Sequence, residues 1–135
     1  MKVLAAVAAG GVLGAEARFG LGVLLPHAPG AWPWATLLVN TSGCVLIGVL
    51  MVVLTELGGA HPLARPFLGV GVLGGYTTFS TYAVEVLQLH DVGRTAEAFG
   101  YLVATPLVAV VACAAGTAAT RIVWRRFPRP RTGRR

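Results

Sequence analysis

Four apolar stretches, each long enough to cross a lipid bilayer, dominate this chain and restrict what it can fold into. They cover residues 3–25, 34–57, 66–89 and 98–124, and each reaches the roughly 20 residues that a helix needs to span the hydrocarbon core. The links between them are short, so residues 1–124 read as one four-helix transmembrane unit and 125–135 as a basic, disordered tail. Composition agrees: 56% of the 135 residues are hydrophobic and 12% are charged, against about half and about a quarter in soluble domains. The expected class is an all-α integral membrane protein without a separate soluble domain. The opening MKVLAAVAAGGVLGAEA also fits a signal peptide, with a positive start and an Ala-x-Ala ending at Ala17. Cleavage there would leave three helices.

The net charge of +6 is not spread evenly, because seven of the eleven Lys/Arg residues fall at or after Arg121. Arginine and proline alternate in that tail without aromatic residues between them. This pattern fits the headgroups of an anionic lipid leaflet better than a nucleic acid. Cys44 and Cys113 both lie inside apolar runs, away from any further Cys or His, and read as small buried hydrophobes. His27, His61 and His90 fall in loops or at span ends, and no nucleophile and base can be paired, so an enzyme is not expected.

Inside the spans, several polar groups require an explanation. The first run carries GGVLGAEARFG, whose small residues at Gly10, Gly11, Gly14 and Ala15 let helix backbones approach closely. Glu16 and Arg18 read as an ion pair of sequence neighbours, with Arg18 able to snorkel to the interface or brace a loop. A loop PHAPGAWP follows, and Trp32 and Trp34 suit the aromatic belt at the water boundary. Asn40 then stands about six residues inside the second run. An unpaired amide in hydrocarbon is costly, so it faces either a partner helix or a wet path.

The strongest interruption is GGYTTFSTY at residues 74–82, which straddles the middle of the third run. Paired glycines followed by consecutive threonines disfavour a continuous helix there. Non-helical backbone at that depth is tolerated only inside protein or along a cavity. Freed carbonyls would be ready ligands for a hard cation. Beyond the break, Thr78, Thr81 or Tyr82, and Glu85 recur every three or four residues as one polar stripe toward a membrane face, with Phe79 and Tyr82 sharing a flank. Hydroxyls with aromatic edges suit an anion. The competing reading is that the hydroxyls bond back to their own helix. In the fourth run Pro106 is expected to kink the helix, and Tyr101 is either an interfacial anchor or a hydroxyl reaching the same path.

Taken together, GGVLGAEARFG, WATLLVNTSGCVLIG and GVLGGYTTFSTYAVE resemble, in order and spacing, the signatures of the Fluc/CrcB fluoride channel family. The resemblance covers the chain except its arginine-rich tail. It implies an antiparallel, dual-topology dimer of four-helix subunits, with the third helix broken at mid-membrane and a structural sodium ion at the centre. The matching backbone carbonyls here are those of Gly74 and Thr77, two from each subunit. It further implies two fluoride pores per dimer, lined here by Asn40, Phe79, Ser80, Thr81, Tyr82 and Tyr101, with Arg18 and Glu85 in structural or vestibule positions. Tyr82 departs from the phenylalanine usual in the family. The function implied is passive exit of fluoride through the plasma membrane of a prokaryote, which a negative cell interior favours by about 2.3 kcal/mol per charge for 100 mV.

Orientation raises a further question. With four spans, Lys2, Arg65 and the seven tail arginines share one side, and the opposite loops hold only Arg94. That bias predicts a cytoplasmic tail, whereas an antiparallel homodimer needs each chain to insert both ways. Pairing with an oppositely biased sister subunit is therefore an alternative to the homodimer. Two other functions compete. A small multidrug-type exporter would use Glu16 as proton carrier but has no use for the polar break. A non-transporting assembly subunit would depend on its tail and not on the midplane hydroxyls.

Overall fold

The computed structural model describes residues 1–28, 30–56 and 61–126. The tail expected from residue 125 therefore lies outside the described residues, except for Arg125 and Arg126. Among the described residues every regular element is helical: α1 (Lys2–Leu24), α2 (Trp34–Glu56), a π-type helix π1 (Arg65–Leu73), the single turn α3 (Gly74–Tyr76), α4 (Ser80–Asp91) and α5 (Thr95–Arg125). Of these, α1, α2 and α5 are each long and apolar enough to cross a membrane. The third apolar run is instead divided among π1, α3 and α4.

Local chemistry explains the boundaries. Pro33 has no N–H to lose, and its carbonyl accepts the Leu37 amide to open α2. Pro66 sits in the first turn of π1. Gly93, at φ 80°, ends α4 in the left-handed region, where the Gly93 and Arg94 amides return to the His90 and Leu89 carbonyls. The α1–α2 loop turns at Gly30, with φ 78°, and Ala31 N–H closes the turn on the Ala28 carbonyl at 2.9 Å.

Glycine sets the packing. Gly10 and Gly14 are buried on α1, where a Cβ would strike the Phe67 carbonyl from Gly10 and the Val72 carbonyl from Gly14. Gly75 approaches the Gly11 carbonyl in the same way. Along the seam the contacts move from Val7–Gly71 through Gly11–Gly75 to Gly14–Tyr76, so α1 runs parallel to π1 and α3. Across the molecule Gly48 meets the Cys113 carbonyl and Gly116 meets the Val45 carbonyl, which makes α2 and α5 antiparallel. Without a hydrophobic drive between helices in lipid, such backbone contact is what association rests on. α4 folds back on α5, and Tyr82, Leu89, Ala98 and Tyr101 form a buried core between them.

Two expectations are corrected by this packing. The chain does not break at its paired glycines: Gly74 and Gly75 are helical, Gly75 serving close approach to α1, and regular structure stops at Thr77–Phe79. Nor do Glu16 and Arg18 form an ion pair among the described residues, because positions i and i+2 on a helix point to different sides.

Candidate functional site

The break is held by one side chain. Asn40, on α2, donates from Nδ2 to the Thr78 carbonyl at 2.9 Å and accepts the Thr78 N–H on Oδ1 at 2.9 Å. Its amide thus supplies both partners that a neighbouring backbone would supply, at the point where the helix has none. The partner-helix explanation of Asn40 is met by this geometry. The residue also lines a concavity of about 330 Å³ with Thr77, Thr78, Phe79, Tyr82 and Thr105.

Hydroxyls complete the repair. Thr77 Oγ1 donates to the Leu73 carbonyl at 2.9 Å. Thr78 Oγ1 accepts the Thr81 amide at 3.2 Å and donates to Thr81 Oγ1 at 3.0 Å, acting as a cap for α4. Thr77 and Thr78 therefore do bond within their own segment, while Phe79, Ser80 and Thr81 remain exposed. The carbonyls of Gly74, Gly75, Tyr76 and Thr77 all lose their helical partners at the break, the outer two because the amides are taken by side chains. In a continuous helix the Thr78 amide would serve Gly74 and the Thr81 amide would serve Thr77. The first of these amides goes to Asn40 and the second to the Thr78 hydroxyl.

The expected polar stripe does not face outward as a unit. Thr78, Tyr82 and Glu85 are buried and only Thr81 is exposed, because α4 turns that face toward α2 and α5. Glu85 accepts Thr36 Oγ1 at 2.7 Å and Tyr101 OH at 3.0 Å, one on each carboxylate oxygen. His27 Nε2 stands 4.0 Å from Glu85 Oε1. Tyr101 is fully buried, with its ring 5.4 Å from those of Trp32 and Tyr82. It is thus a core residue of the subunit, and Trp32 is its neighbour as much as a boundary aromatic. A cleft of about 480 Å³ leads to this group, lined by Arg18, His27, Thr36, Thr78, Thr81 and Glu85 among others.

The hydroxyl of Tyr82 has a structural reason. It donates to the Leu102 carbonyl at 2.6 Å, the carbonyl whose helical partner would be the amide of residue 106, and residue 106 is proline. Pro106 cannot donate, so the tyrosine fills the vacancy on that carbonyl. Its ring lies 5.6 Å from that of Phe79, and Phe79 itself is 80% exposed.

Sequence reasoning did not anticipate Thr36, Thr105 or His27 near the site, and it assigned Tyr76 no partner. Tyr76 OH bonds Ser42 Oγ at 2.8 Å, which ties α3 to α2. The Thr105 hydroxyl is buried and has no partner among the described residues. Only the unusual number of hydroxyls within apolar runs hinted at these residues. Nor do three or more His, Cys, Asp or Glu side chains gather to hold a metal among the described residues, so a cation at the break would depend on carbonyl oxygens.

Residues 5–117 match the family described as CrcB-like protein, Camphor Resistance (CrcB). The chain belongs to the CrcB family. Among similar CrcB relatives, one from Thermobifida fusca named Fluoride-specific ion channel FluC 2 is 53% identical over 86% of this chain and 88% of its own. Fluoride-specific ion channel FluC 1 of Streptomyces coelicolor is 51% identical over 91% of this chain and 81% of its own. FluC 2 of Nocardia farcinica is 50% identical over 88% and 85%. With its apolar helices, this member of the family is a multi-pass, all-α membrane protein and not an enzyme.

Proposed function

We propose that the chain is a subunit of a fluoride-specific channel through which fluoride leaves the cell passively, lowering its toxic concentration in the cytoplasm. The observation that carries this reading is identity of half or more, over most of each chain, to relatives named as fluoride-specific channels. The break at Thr77–Phe79 supports it physically, since polar groups deep in an apolar segment are costly without a use.

In this reading π1, α3 and α4 together make the third of four spans. Two subunits lie antiparallel, either as a homodimer or with an oppositely biased sister chain. Fluoride is small and strongly hydrated, so its path must offer hydrogen-bond donors in a passage too narrow for chloride. Asn40, Phe79, Ser80, Thr81 and Tyr82 line that path, with Arg18 and Glu85 at its mouth and the buried Tyr101 behind Glu85, to which its hydroxyl is bonded. Asn40 and Thr78 keep the interrupted backbone in place while Ser80 and Thr81 present their hydroxyls. The ring edge of Phe79 adds positive quadrupole without competing donors.

A structural sodium ion would be held by the backbone carbonyls of Gly74 and Thr77, a reading supported by the amides of Thr78 and Thr81 being engaged elsewhere. When bound, such a cation supplies positive potential where an anion would otherwise meet low dielectric. The protein resides in a prokaryotic plasma membrane, and where it pairs with a sister chain its arginine-rich tail lies on the cytoplasmic side, against anionic lipid.

The test is fluoride efflux from liposomes containing the purified chain, read with a fluoride electrode and with chloride as the control anion. Rapid efflux of fluoride alone is the expected result. Equal efflux of both anions would remove the selectivity claim. Silence from the chain, both alone and with an oppositely biased homologue, would remove the channel itself.

A further inference from the structure

We propose that His27 is a positioning residue for this pathway: facing Glu85 across the cleft, it offsets the carboxylate when protonated and so admits the anion. The inference rests on the fluoride reading above and adds to it a residue from the α1–α2 loop, which sequence reasoning had placed merely at a span end.

The geometry supports a specific partnership. The His27 side chain is 29% exposed, reaching solvent on one side and Glu85 Oε1 at 4.0 Å on the other. That separation is too long for a direct hydrogen bond and short enough for an ion pair once the ring is charged. Both oxygens of Glu85 are already bonded by neutral hydroxyls, from Thr36 and Tyr101, so neither bond cancels its charge. Among the described residues His27 is the one cationic group within ion-pair distance of Glu85.

The charges around His27 can be assigned element by element. α1 contributes Arg18, which lines the same cleft and makes no ion pair among the described residues. α4 contributes Glu85, α2 contributes only the uncharged Thr36, and α5 reaches the group through the Tyr101 hydroxyl. Arg94, in the α4–α5 turn, is engaged by Glu97 at 2.7 Å and by the Gly30 carbonyl. With His27 neutral, Arg18 and Glu85 cancel; with His27 charged, the cleft carries one net positive charge. A positive cleft raises local anion concentration and entry rate.

The loop is held well enough to keep this arrangement. Arg94 donates to the Gly30 carbonyl, Gly30 lies against the Val92 side chain, and Trp32 meets the Tyr101 ring edge-on at 5.4 Å. His27 is therefore held near Glu85 by a loop anchored at Gly30 and Trp32.

Fluoride efflux is measured from proteoliposomes at symmetric pH values from 7.5 to 5.5, with the leak of protein-free vesicles subtracted. The wild-type rate is expected to rise about threefold on acidification, and His27→Gln to be slow and flat across the range. His27→Arg, with a permanent charge, is expected to be fast and flat, near the acidic wild-type rate even at pH 7.5. A wild-type rise that persists in His27→Gln, or His27→Arg behaving like His27→Gln, overturns the proposal and leaves the channel reading intact. A wild-type chain with no fluoride efflux at any pH overturns both.

Discussion

The seam between α1 and π1–α3 is backbone against backbone, whereas the seam that closes the break at Thr77–Phe79 is made of amides and hydroxyls. The first depends on the absence of side chains, at Gly10, Gly14, Gly71 and Gly75. The second buries polar groups and satisfies them individually, through Asn40, Thr78, Glu85 and Tyr82. The glycine seam is intolerant of added volume, since rigid backbone cannot move aside. The polar seam is intolerant of a lost partner, since each remaining group is left unsatisfied in an apolar setting.

The sharpest way to break the first seam is Gly14→Val, whose new atoms would enter the Val72 carbonyl and the Tyr76 amide. A loss of about 3 kcal/mol or more is expected, read as the fraction of monodisperse protein surviving heating in detergent. Next comes Asn40→Ala, which strips both partners from Thr78 and should cost about 2 to 3 kcal/mol. Because α4 then loses its anchor, fluoride efflux from liposomes should fall to the level of empty vesicles. Efflux at the wild-type rate would show that the break is held by something other than Asn40.

A smaller effect isolates one hydrogen bond. Tyr82→Phe should cost about 1 to 2 kcal/mol by leaving the Leu102 carbonyl unpaired. In a Pro106→Ala background the helix regains the amide that Leu102 lacks, so the same substitution should cost less than half as much. Equal costs in both backgrounds, in a double-mutant cycle on thermal stability, would refute the link between Tyr82 and Pro106. The smallest effect is expected at Gly11→Ala, where a Cβ meets nothing within 4 Å. A change within about 0.5 kcal/mol is expected, so two glycines three positions apart on one helix should differ by most of the range.

Much of this architecture was legible in the chain. Hydropathy placed the three long helices to within a few residues, because length and apolarity are one-dimensional properties. The motif GGYTTFSTY marked where the third run would be interrupted, although Gly75 proved to serve packing and the threonines the interruption. Asn40 was legible as costly but not as the partner of Thr78, a residue 38 positions away. His27 and Thr36 carried no signal, since each is unremarkable in its own stretch and becomes informative only beside Glu85.

By itself, then, the sequence determined that the chain would be helical, would lie in a membrane and would carry polar groups at mid-depth, since transfer free energy and backbone satisfaction depend on local composition alone. The tertiary structure decided which polar groups meet. Hydrogen bonds and ion pairs are set by distances of a few ångströms between residues far apart in number, and those distances exist only after the glycine seams have brought the helices together.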